Sequence, residues 1–210
     1  MTPHDQFLVS FAECPLIAIL RGVRPDEAEA IGDALVEGGI RIIEVPLNSP
    51  DPLDSIARLS ARLAGRALVG AGTVLSVDQI EPIRAAGGRL IVSPSVNAAV
   101  IAATVAAGLV SCPGYLTPSE GFTAIDAGAH ALKLFPAEAA SPAVVRAQRA
   151  VLPKELKLIV VGGVAPDTMA PWLAAGADGF GLGSGIYRPG QTAADTLSRA
   201  RAYRAALAAQ

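Results

Sequence analysis

Lys133 lies within the apolar run Ala131-Leu132-Lys133-Leu134-Phe135-Pro136, whereas the other two lysines, Lys154 and Lys157, flank a polar turn and read as solvated surface. Apolar neighbours on both sides draw the Lys133 side chain out of water. Desolvation disfavours the ammonium form and leaves a nucleophilic amine nearer neutral pH. That amine is the starting point for Schiff-base chemistry with a ketone or aldehyde. The competing reading is a lysine that snorkels from a strand end or pairs with a structural carboxylate. Glu44, in Arg41-Ile42-Ile43-Glu44-Val45-Pro46, is the only carboxylate inside a predicted strand. Alternate residues of a strand share a face, so Ala131, Lys133 and Phe135 go together on one strand, and Ile42, Glu44 and Pro46 on another. Two isolated charges on buried faces need each other or a ligand. They form either a structural ion pair or the acid/base couple of a site.

Further candidates sit where strands end. Arg21 follows the run Leu16–Leu20, and its planar fork suits a carboxylate or phosphate; a surface arginine is the plainer alternative. Val161-Gly162-Gly163-Val164 and Leu182-Gly183-Ser184-Gly185 are glycine-rich ends of late strands. Glycine lets backbone N–H groups approach an anion closely, so both are expected to bind phosphate, although tight turns also use glycine. Gly70-Ala71-Gly72-Thr73 lacks the last glycine of a dinucleotide fingerprint, and Thr73 is instead a candidate donor to a substrate carboxylate. His4 and His130 are the only histidines, and the cysteines are dispersed, so a thiol/imidazole metal site is not expected. No cofactor is expected.

The elements that must position these residues alternate along the chain. Predicted strands are Leu16–Leu20, Ile40–Val45, Ala67–Ala71, Leu90–Val92, Leu109–Cys112, Ala131–Phe135, Leu158–Val161 and Gly179–Leu182. Between and after them lie predicted helices Pro25–Glu37, Pro52–Leu63, Val77–Ala86, Ala98–Ala107, Pro118–Ala127, Pro142–Leu152, Pro166–Ala175 and Ala193–Ala208, with one more near His4–Ala12. Several helices open with proline after a polar cap candidate, as in Thr117-Pro118 and Ser141-Pro142, and several end in glycine, as at Gly128 and Gly176. Eight strand–helix units of roughly 25 residues predict a single (β/α)8 TIM barrel over residues 1–210, with an extra N-terminal helix. The alternative is a doubly wound open sheet. Active sites of closed barrels are built at the carboxyl ends of the strands, where Arg21, Thr73 and the glycine turns fall.

Composition narrows the function classes. The chain is 51% hydrophobic and 17% charged, enough for a sizeable core and incompatible with disorder. A formal net charge of −2 with no basic cluster predicts no nucleic-acid or acidic-membrane partner. Cys14 and Cys112 make no disulfide framework, and no secretory signal is read in Met1–Gln6, so a cytoplasmic, reduced protein is expected. Leu90–Ser119 carries no charge, which is long enough to suggest a membrane span. Pro94, Asn97, Gly108 and Pro113 divide it into strand, helix and strand, and its apolar helix is expected to be covered by another subunit.

Taken together, the segments Pro15–Gly22, Ile43–Pro50, Gly70–Val74, Cys112-Pro113-Gly114, Ala131–Pro136, Val161–Val164 and Gly181–Ser184 resemble the KDPG/KHG aldolase family, in its 2-dehydro-3-deoxy-6-phosphogalactonate branch. The resemblance runs from about Pro15 to Arg204. It implies a class I aldolase, usually trimeric, that cleaves a phosphorylated 2-keto-3-deoxy sugar acid without a cofactor. It casts Lys133 as the Schiff-base lysine and Glu44 as the acid/base. By the same resemblance Arg21 and Thr73 contact substrate, and Gly162, Gly163, Gly183 and Ser184 hold its phosphate. Gluconate-type relatives carry arginine where this chain has Asn48, and threonine where it has Val161, beside the hydroxyl that distinguishes the two sugar acids. Both departures imply the galactonate substrate, with Arg21 taking over the anion-binding role. The gluconate epimer, a phosphosugar isomerase or epimerase on the same barrel, and a non-catalytic phosphate-binding module are the alternatives.

Overall fold

Inward-facing strand residues and outward-facing helix partners separate the core of this protein into two shells. The structure is a computed structural model and describes residues 1–209. Helix α1 (Pro3–Glu13) precedes the alternation β1 (Leu16–Ile19), α2 (Pro25–Glu37), β2 (Ile42–Pro46), α3 (Pro52–Arg62), β3 (Leu68–Gly72), α4 (Ile80–Ala85), β4 (Leu90–Val92) and α5 (Ala98–Ala106). The second half continues with β5 (Val110–Cys112), β6 (Gly114–Tyr115), α6 (Pro118–Asp126), β7 (Ala131–Leu134), α7 (Pro142–Arg149), β8 (Lys157–Val161), α8 (Met169–Ala174), β9 (Gly179–Leu182) and α9 (Ala193–Ala208). All strand pairs are parallel, in the order β5-β4-β3-β2-β1-β9-β8-β7-β6.

Nine strand segments stand where eight were expected, and Pro113 accounts for the difference. It has no N–H, so the fifth strand cannot continue its ladder through that residue. Below it β5 pairs with β4; above it β6 pairs with β7. The Pro113 carbonyl accepts from the Lys133 N–H at 2.9 Å, and the Gly114 N–H donates to the Ser93 carbonyl at 2.9 Å. One broken strand thus joins both edges of the sheet, and the (β/α)8 barrel follows.

The inner shell contains Ile17, Ile42, Leu68, Leu90, Val110, Ala131 and Ile159, with Phe7 and Phe11 of α1 packed against them. The two phenylalanine rings stack with centroids 5.4 Å apart. A Cβ on Gly179 would strike the Phe11 ring, which explains glycine at that strand position and shows α1 plugging the amino end of the barrel. Thr2 starts α1 through a capping box with Asp5. The outer shell packs helix side chains such as Ile31, Leu35, Ile56 and Leu59 on outward strand residues such as Ile43, Val69 and Leu132.

Several local expectations shift by a turn. The segments Val77–Ala86 and Pro166–Ala175 each open with a 3-10 turn before α4 and α8, and α7 stops at Arg149 rather than Leu152. Thr117 caps α6 in a capping box with Glu120, whereas the Ser141 side chain makes no capping hydrogen bond. Gly128 (φ 96°) and Gly176 (φ 105°) close α6 and α8 in the left-handed region, as helix-ending glycines do. Lys157, read as loop surface, is half-buried as the first residue of β8. Among the described residues no helix is long and apolar enough to cross a membrane. The uncharged stretch resolves into β4, α5 and β5, and Asn97 caps α5 by accepting from the Ala99 and Val100 N–H groups. Cys14 and Cys112 are free and buried.

Candidate active site

Parallel register brings the inward residues of neighbouring strands to a common level. Ile19 of β1 pairs with Glu44 of β2, and Glu44 with Gly70 of β3; on the far wall Gly114 pairs with Lys133, and Lys133 with Ile159. Glu44, Lys133, Val92, Cys112, Val161 and Gly181 line one narrow cavity inside the barrel. A larger hollow of about 420 Å³ lies at the amino end of the strands. It is lined mainly by alanine and glycine with Gln6, Ser60 and Arg89, and holds no lysine or carboxylate. The reactive groups therefore select the smaller cavity.

Lys133 is only 6% exposed, on a strand buried throughout. Burial pulls its ammonium pKa down, and Arg21 adds to that; the negative charge of Glu44 works against it. The Phe135 ring centroid lies 4.7 Å from Nζ, so one aromatic face still stabilises the cation when it forms. The balance favours an amine that can lose its proton inside the barrel.

Glu44 is 2% exposed, and its Oε2 is buried without a hydrogen-bond partner. Burial raises its carboxyl pKa to about 7, although Lys133 and Arg21 pull it down. None of the ion pairs among the described residues joins Glu44 to Lys133. The two are electrostatically coupled across the cavity rather than clasped, and a buried oxygen with no partner is costly unless something else occupies the gap. Gly72 completes the geometry, because a Cβ there would collide with the Glu44 carboxylate. Burial also drives the Cys112 thiol up to about 12, so at neutral pH it is a neutral wall group.

The remaining predicted residues surround the same carboxyl end. Arg21, just past β1, is exposed at the rim and donates from Nη1 to Asn48 Oδ1 at 2.7 Å. Thr73, just past β3, has φ 58°, an uncommon region for a β-branched residue that costs about 1–3 kcal/mol and clusters at functional sites. Val161 is 6% exposed and points its isopropyl group inward; a Cβ on Gly181 would collide with it. Gly162 (φ 126°) and Gly163 (φ 60°) end β8, with the Glu138 carboxylate packed against Gly162. Gly183 and Ser184 end β9, the strand beside β8, where the Ile186 and Tyr187 N–H groups donate back to the Gly183 carbonyl. Lys133, Glu44 and Val161 share the cavity wall, while the glycine turns stand at adjacent strand ends above it.

Cys112 and Glu138 escaped residue-level reading, and so did the contact that Asn48 makes. Cys112 lines the cavity, which the inward alternation Val110, Cys112 would have shown. Asn48 holds Arg21, a contact between two loops with no sequence signal. Glu138 lies against the Gly162–Gly163 turn because the chain after β7 folds back over β8.

A family model described as "KDPG and KHG aldolase" matches residues 9–199. A protein of Rhizobium meliloti (strain 1021) named "Probable 2-dehydro-3-deoxy-6-phosphogalactonate aldolase" is 48% identical over 92% of this chain and 92% of its own length. The 2-dehydro-3-deoxy-6-phosphogalactonate aldolase of Escherichia coli (strain K12) is 45% identical over 90% of this chain and 92% of its own. A solved structure described as "Native KDPGal structure" superposes with a TM-score of 0.92 at 44% identity, covering 94% of this chain and 96% of that one.

Proposed function

The chain belongs to the KDPG and KHG aldolase family and is a carbon–carbon lyase; from that premise we propose that it cleaves 2-dehydro-3-deoxy-6-phosphogalactonate to pyruvate and D-glyceraldehyde 3-phosphate through an imine on Lys133. The observation that carries the reading is the buried, unclasped pair of Lys133 and Glu44 facing one cavity. The neutral Lys133 amine attacks the C2 ketone and forms a carbinolamine. Glu44, whose carboxyl keeps its proton to about pH 7, donates it to the departing hydroxyl, and water leaves. The protonated imine then draws electrons. Glu44, now a carboxylate, takes the C4 hydroxyl proton directly or through a water; the C3–C4 pair flows to the iminium nitrogen, and glyceraldehyde 3-phosphate departs. The enamine is protonated at C3, and hydrolysis releases pyruvate and the free amine. The polarisation that cleavage needs comes from the iminium itself.

The substrate spans the mouth of the barrel in this reading. Its carboxylate meets Arg21 and Thr73, and its phosphate meets the N–H groups of Gly162, Gly163, Gly183 and Ser184. Val161 meets the C4 region with methyl groups, which neither donate to nor accept from a hydroxyl, and this supports the galactonate epimer. Parallel progress curves with the galactonate and gluconate substrates test the assignment. A kcat/KM ratio of about tenfold or more for galactonate is expected, the scale of one altered pocket contact. A ratio of one or below rejects Val161 as the selector, and phosphosugar isomerisation without pyruvate release rejects the aldolase chemistry. We also propose a homotrimer. Val105 of α5 and Phe122 of α6 are exposed at 37% and 41%, which leaves apolar side chains for a neighbouring copy to cover. Light scattering on a size-exclusion column is expected to read about three times 21.3 kDa; a monomer mass rejects the proposal.

A further inference from the structure

We infer that Asn48 is the residue that positions Arg21, holding its guanidinium over the barrel mouth for the carboxylate of a 2-keto acid. The inference rests on the reading above, in which Lys133 carries the keto carbon. Arginine is long, and fixing it costs rotamer freedom unless something holds it in advance. Here two successive residues after β2 hold two successive residues after β1. The Arg21 Nη1 donates to Asn48 Oδ1 at 2.7 Å, and the Gly22 N–H donates to Ser49 Oγ at 2.9 Å. Ser49 is 8% exposed, and Gly22 has φ 79°, with the Pro189 ring where a Cβ would stand, so the turn that carries Arg21 is fixed on both sides.

The chemistry of position 48 matters beyond the contact itself. None of the ion pairs among the described residues includes Arg21, so its charge is not neutralised by a carboxylate. A guanidinium has five N–H donors, and the amide oxygen occupies one of them while adding no charge. The remaining donors and the full positive charge stay available to an anion. Arg21 follows Ile19, the register partner of Glu44, by two residues, which sets it above the reacting end of the cavity, and its charge bears on both Glu44 and Lys133. A 2-keto acid bound through its ketone at Lys133 carries its carboxylate one carbon away, and a planar fork matches it. Aspartate at position 48 would accept the same hydrogen bond but would pair with Arg21 and compete with the ligand.

That contrast separates positioning from loop scaffolding. Asn48→Ala and Asn48→Asp proteins, checked for native circular dichroism, would be incubated with increasing pyruvate and borohydride, and the reduced adduct on the Lys133 peptide quantified. Pyruvate has the carboxylate and ketone but no phosphate, so the glycine turns do not enter. The half-saturating pyruvate concentration is expected to rise about threefold in N48A and about tenfold or more in N48D, the scale of one lost hydrogen bond and one neutralised charge contact. The limiting rate should fall by less than the half-saturation rises. An N48D protein as good as wild type, or better than N48A, overturns the inference, because Asn48 would then be only a loop acceptor. The same holds if the limiting rate alone changes. Absence of any Lys133 adduct in the wild-type protein would defeat the imine reading itself, a failure distinct from these.

Discussion

Replacement of Lys133 by alanine or methionine is expected to lower kcat/KM at least about 10⁴-fold, equivalent to about 5.4 kcal/mol of barrier. Covalent catalysis has no substitute inside this barrel. The other two lysines lie at the foot of β8 and in the turn before it, away from the cavity. Wild-type protein reduced with borohydride in the presence of pyruvate should carry a pyruvyl adduct on the Lys133 peptide, and neither variant should be labelled. Methionine fills the space without the amine, so loss of packing is separated from loss of chemistry. Removing the cation withdraws the group that pulls the Glu44 pKa down most, so Glu44 should hold its proton to higher pH. The fold therefore avoids an isolated buried carboxylate, and a folded, inactive K133M is the anticipated result. A K133M protein that retains more than about 1% of wild-type turnover, or an adduct on Lys154 or Lys157, rejects the Schiff-base assignment.

Glu44→Gln should slow cleavage about 10²–10⁴-fold while still allowing slow imine formation, since general acid–base catalysis contributes on that scale. The amide keeps the shape of the side chain but neither gives nor takes the proton. Wild-type kcat/KM is expected to show an ionisation near pH 7, owned jointly by Glu44 and Lys133, and E44Q should lose it. Stability should respond in a definite direction. The folded carboxyl pKa of about 7 lies above the unfolded value of 4.5, so between those pH values the native state binds a proton the unfolded state has released. The stability from the protonated carboxyl is fully present below pH 4.5 and is lost as pH rises through 7. Glutamine removes that loss, so the melting temperature of E44Q relative to wild type should climb from pH 4.5 to pH 7.5. Unchanged turnover would exclude Glu44 as the proton carrier. A misfolded E44Q would make its role structural.

Much of this architecture is written in local chemistry. Helices α2 and α9 and strands β4 and β9 have the boundaries expected from periodicity, proline starts and glycine stops. Period-two alternation groups Lys133 with Ala131 and Phe135 and Glu44 with Ile42 and Pro46 on the inward faces, because a buried strand has only two faces to choose from, whereas Val161 enters only through the family resemblance. The errors fell where one residue changes a local hydrogen-bond ladder. Pro113 split the fifth strand, and the first turns of the segments before α4 and α8 tightened into 3-10 geometry. These outcomes depend on neighbouring carbonyls and packing, which residue types do not encode locally.

By itself the sequence determined the barrel, the inward lysine and glutamate, and the glycine turns at late strand ends, because each follows from contacts within a few residues or from side-chain burial on a strand. The tertiary structure decided how those groups relate. Closure through a broken strand places β2 opposite β7, so Glu44 and Lys133 meet one cavity yet remain unclasped, and Gly72 leaves room for the carboxylate. It also brought Asn48 to Arg21 across 27 residues of chain. Distances between loops and the loss of water around a charge are properties of the assembled barrel. They are also what turns an apolar lysine and a lone glutamate into groups with altered proton affinity.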